Sequence, residues 1–379
     1  MNPHSPFVFV TCQVGAEGAL KAEMGRLWPS FRFAYSRPGF LTFKLPPDAS
    51  PPDTLDLQCA FARACGLSLG KAAAGTRDEL ISQAQTLFQD LPINRLHVWP
   101  RDAAEPGWRD YEPGMTAEAS QIAELLAAAL DSKHPSPAPD PAADRLTDDA
   151  NATPLGEPAP AIADASSPLL APALPGELAG DVVLVDPEVW WIGFHRVRSI
   201  ESGWPGGLFL SPLPADAVSR VYLKMQEAIA WSGFAISPGE RVAEIGCSPG
   251  GASQVLLNRG AQVLGIDPAE VHPLVLGHPR FRHLRRRSKE VRRQDFIGVH
   301  WLTCDINLPP NYTLDTVEAI VTHRGVKLKG MLLTLKLLEW SMAQTIPEYL
   351  ERIRSWGFQN VRTRQLHHNR REICVAVQR

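Results

Sequence analysis

The stretch Glu244-Ile245-Gly246-Cys247-Ser248-Pro249-Gly250-Gly251 decides how this chain is read. An apolar run, Arg241–Ile245, leads into it, and a helical pattern, Ala252–Asn258, leads out. Strand, glycine-rich turn and helix in that order let the backbone approach a ligand closely, because glycine puts no side chain in the way. The first N–H groups of the following helix have no intrahelical partner and face the same place. A second strand, Gln262–Ile266, ends at Asp267, where a carboxylate can accept both hydroxyls of a ribose. The glycine spacing is GxxxGG. It departs from the GxGxxG dinucleotide pattern and lacks the GK[ST] of a phosphate-binding loop. The ordered set predicts a nucleoside-cofactor site; taken alone, the glycines could equally serve a structural turn.

Working outward, a helix is expected over Ala215–Trp231. Further strands are expected at His300–Cys304, Met331–Lys336, Asn360–Gln365 and Glu372–Val377, with helices between some of them. Strands alternating with helices predict a doubly wound, Rossmann-like α/β sheet over residues 205–379. The last two strands, joined by Leu366–Arg371, read as an antiparallel hairpin at the sheet edge.

The front of the chain reads as small α+β units. Phe7–Cys12, a helix over Gly15–Trp28, and strands at Phe31–Phe33 and Leu41–Leu45 make a βαββ start over residues 1–50, as in ferredoxin-like units. Phe61–Leu69, a helix over Arg77–Phe88, a strand at Arg95–Trp99 and a helix over Ala117–Leu130 begin a second unit, spanning residues 51–204. Strands at Val182–Val185 and Trp190–Phe194 complete it. Residues 131–180 interrupt it with 10 prolines, 12 alanines and no aromatic residue, a composition read as a disordered insertion. Trp190 and Trp191 are either core or a base-stacking platform.

Composition bounds the rest. With 379 residues, 44% hydrophobic and 21% charged, the chain is an ordinary globular protein of two or three domains. No run of about 18 apolar residues would span a membrane. Met1–Ser5 does not read as a signal peptide, so a cytoplasmic protein is expected. The six cysteines fit no zinc spacing and read as reduced thiols. Residues 1–180 hold 13 Lys+Arg against 22 Asp+Glu, and residues 181–379 hold 25 against 19. A basic back half suggests a polyanion partner. Eight Lys/Arg fall within residues 280–293 alone, with Lys327, Lys329, Arg362, Arg364, Arg370 and Arg371 adding to them. A solvated charged face is the plainer reading. His367 and His368 are either substrate contacts or surface residues.

The glycine turn, Ser219-Arg-Val-Tyr-Leu-Lys224 upstream, and Cys304-Asp305, Leu335-Lys336-Leu337 and Arg371-Glu372 downstream resemble the FtsJ-like ribose 2′-O-methyltransferases. The chain is more closely similar to the M-type methyltransferases of bacterial large-subunit (23S) ribosomal RNA. The resemblance is strong over residues 181–379 and looser over 1–130. It implies a ferredoxin-like unit and a THUMP-like RNA-binding unit ahead of a catalytic domain that uses S-adenosyl-L-methionine. It also implies an RNA substrate, no membrane and a monomer. A catalytically inactive ribosome-assembly module, or a methyltransferase of another RNA such as transfer RNA, are the alternatives.

The resemblance implies a catalytic tetrad of Lys224, Asp305, Lys336 and Glu372. A ribose hydroxyl must lose its proton as it attacks a sulfonium methyl. Lys336, ending an apolar strand, fits a desolvated amine acting as base, with Lys224 as the second cation and the two carboxylates fixing the lysines. An ion pair of Lys336 with Asp305 is the structural alternative. The turn supplies Glu244, Gly246, Gly250 and Gly251 as expected cofactor contacts, and the end of the next strand supplies Asp267; the resemblance also implies Ser248 as a contact. Ser219, Pro249 and Asp305 join them by resemblance. No metal is expected in this reaction. The family's usual carboxylate after the third strand is replaced by His283-Leu-Arg-Arg-Arg-Ser-Lys-Glu-Val-Arg-Arg293, leaving Glu290 or the backbone to hold adenine.

Overall fold

A computed structural model describes residues 7–46, 55–132 and 167–379. Its front half runs β1 (Phe7–Thr11), α1 (Glu17–Leu27), β2 (Arg32–Arg37), β3 (Phe40–Lys44), β4 (Ala64–Ala73), α2 (Arg77–Phe88), β5 (Arg95–Pro100), α3 (Ala117–Asp131), β6 (Leu178–Asp186) and β7 (Val189–Arg196). These strands form one seven-stranded sheet, ordered β2-β3-β1-β4-β7-β6-β5. Every neighbouring pair is antiparallel except β5 with β6. The boundary expected at residue 50 falls outside the described residues. Strand β4 pairs with β1 on one side and β7 on the other, so the two sequence segments share a single sheet.

Most of the expected insertion, 133–166, also lies outside the described residues. Its last part does not behave as read. Ser167 is buried and caps a short turn over Pro168–Leu170, Leu169 and Leu170 pack against the α2–α3 core, and β6 begins at Leu178. Those two leucines give this tail the apolar anchor that the composition average over 131–180 conceals. Trp190 and Trp191 are 2% and 7% exposed, and Trp191 donates its indole N–H to Ser68 Oγ at 2.8 Å. They are core residues, which removes the stacking platform.

The back half runs α4 (Val221–Ser232), β8 (Arg241–Ile245), α5 (Gly251–Asn258), β9 (Gln262–Ile266), α6 (Pro273–Leu276), β10 (Phe281–Leu284), β11 (Trp301–Cys304), α7 (Pro310–Val321), β12 (Gly330–Lys336), α8 (Ile346–Ser355), β13 (Asn360–Arg364) and β14 (Glu372–Gln378). Its sheet is ordered β10-β9-β8-β11-β12-β14-β13, with β14 antiparallel to both neighbours and the first five strands parallel. This is the doubly wound arrangement expected, with its strand-order reversal between β8 and β11. Helix α4 starts at Val221, six residues after the expected start at Ala215, because the preceding segment is tied elsewhere: Gln254 takes the Val218 N–H and donates to the Asp216 carbonyl. Buried side chains of α4 and α5 cover one face of the sheet, and those of α7 and α8 cover the other.

The two halves meet around the β13–β14 turn. Gln365 N–H donates to Ala60 O at 2.7 Å, Arg364 donates to Arg63 O at 2.6 Å, and His367 Nε2 lies 2.8 Å from Pro113 O. Among the described residues no helix is long and apolar enough to cross a membrane.

Candidate active site

The carboxyl ends of β8, β11 and β12 deliver Gly246, Asp305 and Lys336 to one edge of the parallel sheet. Gly246 has φ +85°, and a Cβ there would overlap the Asp305 carbonyl oxygen, so both conformation and close approach demand glycine. Gly251 opens α5 with Ser219 Oγ against it, where a Cβ would collide. That Ser219 hydroxyl is buried with no hydrogen-bond partner among the described residues. Gly250, at φ +120°, is the N-cap of α5. Ser248 N–H donates to Asp267 Oδ2 at 3.2 Å, while Ser248 Oγ donates to Glu270 O at 2.7 Å. The turn is thereby clamped to the end of β9.

Glu244 lies elsewhere than expected. Its side chain is 3% exposed and accepts from Ser253 Oγ of α5 at 2.5 Å. Burial raises its pKa to about 8, against the pull of the Ser253 bond. It braces the turn from beneath, beside a cavity of about 30 Å³ also lined by Lys224, Thr303 and Asp305. That space suits a water molecule, not a nucleoside.

Lys224, Asp305, Lys336 and Glu372 come together as a box. Lys224 Nζ lies 2.6 Å from Asp305 Oδ2 and contacts Glu372 Oε1. Lys336 Nζ lies 3.1 Å from Asp305 Oδ1 and contacts Glu372 Oε2. Each lysine thus touches both carboxylates. Lys336 and Glu372 are directly opposed in the β12–β14 ladder, and α4 brings Lys224 over the strand ends. The lysines differ in access, with side chains 12% exposed for Lys224 and 22% for Lys336. Burial pulls the Lys224 ammonium down, but Asp305 and Glu372 outweigh it and hold its pKa above the ordinary lysine range. Asp305 is raised by burial and lowered more by the two lysines, ending below its usual value. The expected amine desolvated by apolar neighbours is not what β12 presents, since Lys336 sits between two carboxylates.

Supports for this box escaped sequence reading. Asn369 donates its side-chain N–H to Glu372 Oε1 at 3.1 Å. Fully buried Glu227, one turn after Lys224, accepts the backbone N–H groups of His367 at 2.6 Å and His368 at 2.9 Å. Burial pushes Glu227 to about 7 despite those bonds. Its three-residue spacing from Lys224 was the available signal. The histidines are not surface residues: His367 is 6% exposed, and burial with the neighbouring His367 ring lowers His368 to about 3.

The basic segment 280–293 starts at β10 and continues past the same strand ends, with Arg285, Arg286, Arg287, Lys289 and Arg292 exposed. Glu290 is exposed and closes its own turn through Arg287 N–H at 3.3 Å. Of the other cations, Lys329 pairs with Glu240, Arg362 donates to Ser232 O, and Arg364 is drawn into the seam.

The order-reversing parallel sheet brings the glycine turn and the boxed lysine pair to one edge. Residues 217–348 match the family described as FtsJ-like methyltransferase. The chain is similar to proteins named ribosomal RNA large subunit methyltransferase M. It is 29% identical to that of Halorhodospira halophila over 47% of this chain and 52% of the relative, and 28% identical to that of Laribacter hongkongensis over 46% and 52%. The corresponding match in Xylella fastidiosa (strain 9a5c) is 29% identical over 52% and 55%. The chain thus spans about half the length of the curated relatives it matches.

Proposed function

We propose that this protein methylates a ribose 2′-hydroxyl of RNA, with large-subunit (23S) ribosomal RNA as substrate, acting as a monomer in the cytoplasm. The observation that carries this reading is the box of Lys224, Asp305, Lys336 and Glu372 beside the glycine turn. The relatives' printed name supports the RNA class.

The residues present fit S-adenosylmethionine. The backbone of Gly246, Ser248, Pro249, Gly250 and Gly251 would cradle it, the unpartnered Ser219 hydroxyl offers it a donor, and Asp267 offers a carboxylate for its ribose. When bound, it supplies an electrophilic sulfonium methyl. Lys224, held as a cation, keeps both carboxylates in place. Lys336, the more accessible of the two, acts in its free-amine form, having given its own proton to solvent: its lone pair accepts a hydrogen bond from the attacking hydroxyl and then takes that proton at Nζ. Glu372 and Asp305 orient that amine. Positioning supplies much of the remaining acceleration.

The front half we read as a ferredoxin-like unit followed by a THUMP-like unit that presents the RNA. The order β2-β3-β1-β4 of its first four strands, with α1 between β1 and β2, supports the first. A splayed, unstacked nucleotide is the expected substrate form. The exposed arginines after β10 flank the same sheet edge and suit its phosphates.

The test is transfer of labelled methyl to RNA from a strain lacking the gene, with wild-type protein and Lys336→Ala. Label at a ribose 2′-oxygen of large-subunit RNA, lost in the variant, is the expected result. Label on a base, or undiminished label with Lys336→Ala, overturns the reading.

A further inference from the structure

Away from the methyltransferase site, three adjacent strands of the front sheet place His97 (β5), Asp181 (β6) and His195 (β7) together. His97 pairs with Asp181 in register, and His195 lies two residues from Gly193, the other partner of Asp181. One ligand-type atom from each residue falls within a cluster no wider than 4.8 Å. The side chains are 4%, 0% and 11% exposed.

Proton accounting shows the arrangement is incomplete. His195 Nε2 lies 2.8 Å from Ser202 O, and a carbonyl only accepts, so Nε2 carries the hydrogen. The other nitrogen, Nδ1, faces Asp181 Oδ2 at 2.7 Å, so without metal one proton lies between them, and a bound ion would displace it to solvent. That leaves Asp181 Oδ1 and His97 Nδ1, both buried, both without a hydrogen-bond partner among the described residues, and 3.8 Å apart. The distance is too long for a hydrogen bond. It is shorter than a zinc–nitrogen and a zinc–oxygen bond end to end, about 4.0–4.3 Å, so one ion reaches both atoms. An unmet buried polar atom is destabilising, and here one cation would satisfy two.

The surroundings fit a ligand set. A metal-bound histidine typically gives its second N–H to a backbone carbonyl, which fixes the ring and aims the free lone pair at the ion. His195 does this with Ser202. Gly66 lies against Asp181 Oδ2, where a Cβ would come within 2.8 Å. His195 also lines the cleft of about 620 Å³ between the two halves, which gives an ion and a water access.

We propose that His97 Nδ1, Asp181 and His195 Nδ1 form a site for one divalent transition-metal ion of the zinc class. Two imidazoles and one carboxylate suit zinc, whereas magnesium and calcium favour all-oxygen sets. The ion would join three strands and, through the Ser202 bond, fasten the segment that leads from β7 into the back half. Sequence spacing could not reveal it, since the ligands come from three strands and include no cysteine.

The full-length protein, stripped with a chelator and dialysed, is titrated with Zn2+ alone and with Co2+ alone. Bound metal is read by elemental analysis, Co2+ geometry by visible absorption, and stability by thermal melting. One equivalent of Zn2+ per chain, a tetrahedral Co2+ band and a rise in melting midpoint reversed by chelator are expected. His97→Gln, which keeps a polar side chain, should melt cooperatively without the band or the rise. Asp181→Asn should behave likewise if it folds. Cys65→Ser, a change in β4 at a thiol near Asp181 but outside the ligand set, should bind as wild type does. A folded wild type that takes up no stoichiometric Zn2+, or a His97→Gln variant that binds as wild type, overturns the proposal.

Discussion

The glycine turn and the β13–β14 turn flank one active site but are built on opposite plans. Between Glu244 and Gly251 the chain makes its own site from eight consecutive residues. The clamps on it come from nearby sequence: Asp267, Glu270 and Ser253. The β13–β14 turn, which delivers Glu372, is held from far away. Glu227 grips it from α4, and Ala60, Arg63 and Pro113 of the front half meet its residues. Local construction makes a binding cradle that depends little on domain docking. Remote construction ties Glu372, the carboxylate of the proposed tetrad, to how the halves sit together.

The comparison predicts separable defects. The largest belongs to Lys336→Ala, which should lower single-turnover methyl transfer by about 10²–10⁴-fold. Its cofactor affinity, measured by calorimetry, should stay near wild type; a matching loss of affinity would merge the two regions. Gly246→Ala should do the reverse. The added methyl overlaps Asp305 O at a positive φ, with a strain cost of about 1–3 kcal/mol, and cofactor affinity should fall first.

Glu227→Gln tests the remote grip. It keeps one acceptor for two N–H groups, so Glu372 should drift and turnover at saturating cofactor should fall by up to about 10²-fold. The cofactor KM should hold, and the melting profile should separate drift from unfolding.

Glu244 gives a pH signature. Its folded pKa, about 8, stands above the ordinary 4.5, so the folded protein keeps a proton that the unfolded chain releases. Stability from this group is therefore greatest at low pH and falls as pH rises from about 4.5 through about 8. Glu244→Gln should flatten that slope in denaturant titrations run across the window. The smallest effect is expected of Trp191→Phe. It loses the bond to Ser68, about 1 kcal/mol, with no change in RNA affinity. A large loss of RNA binding there would restore the stacking role.

Much of the back half was legible because its signals are periodic or local. The strands at Arg241–Ile245 and Gln262–Ile266 fall where apolar runs put them. Strand β10 was missed, since Phe281–Leu284 is short, half-exposed and carries Arg282 and His283 within it. Tetrad membership came from resemblance, and only the fold places each lysine against both carboxylates. Glu244 was misplaced because a residue's membership of a turn says nothing about which way it points. The histidines of the β13–β14 turn looked solvated for a similar reason: their cover comes from Pro113 and Phe209, remote in sequence.

The sequence by itself determined the class of sheet, the place of the glycine turn and the residue types proposed for the chemistry. These depend on periodicity and on backbone freedom at glycine, which neighbours in the chain decide. The tertiary structure alone decided that β4 joins two segments into one sheet, that Lys224 is the locked cation and Lys336 the accessible amine, and that His97, Asp181 and His195 converge. Charge states and contacts depend on distances across the fold, and side chains far apart in sequence acquire those distances only when the sheets pack.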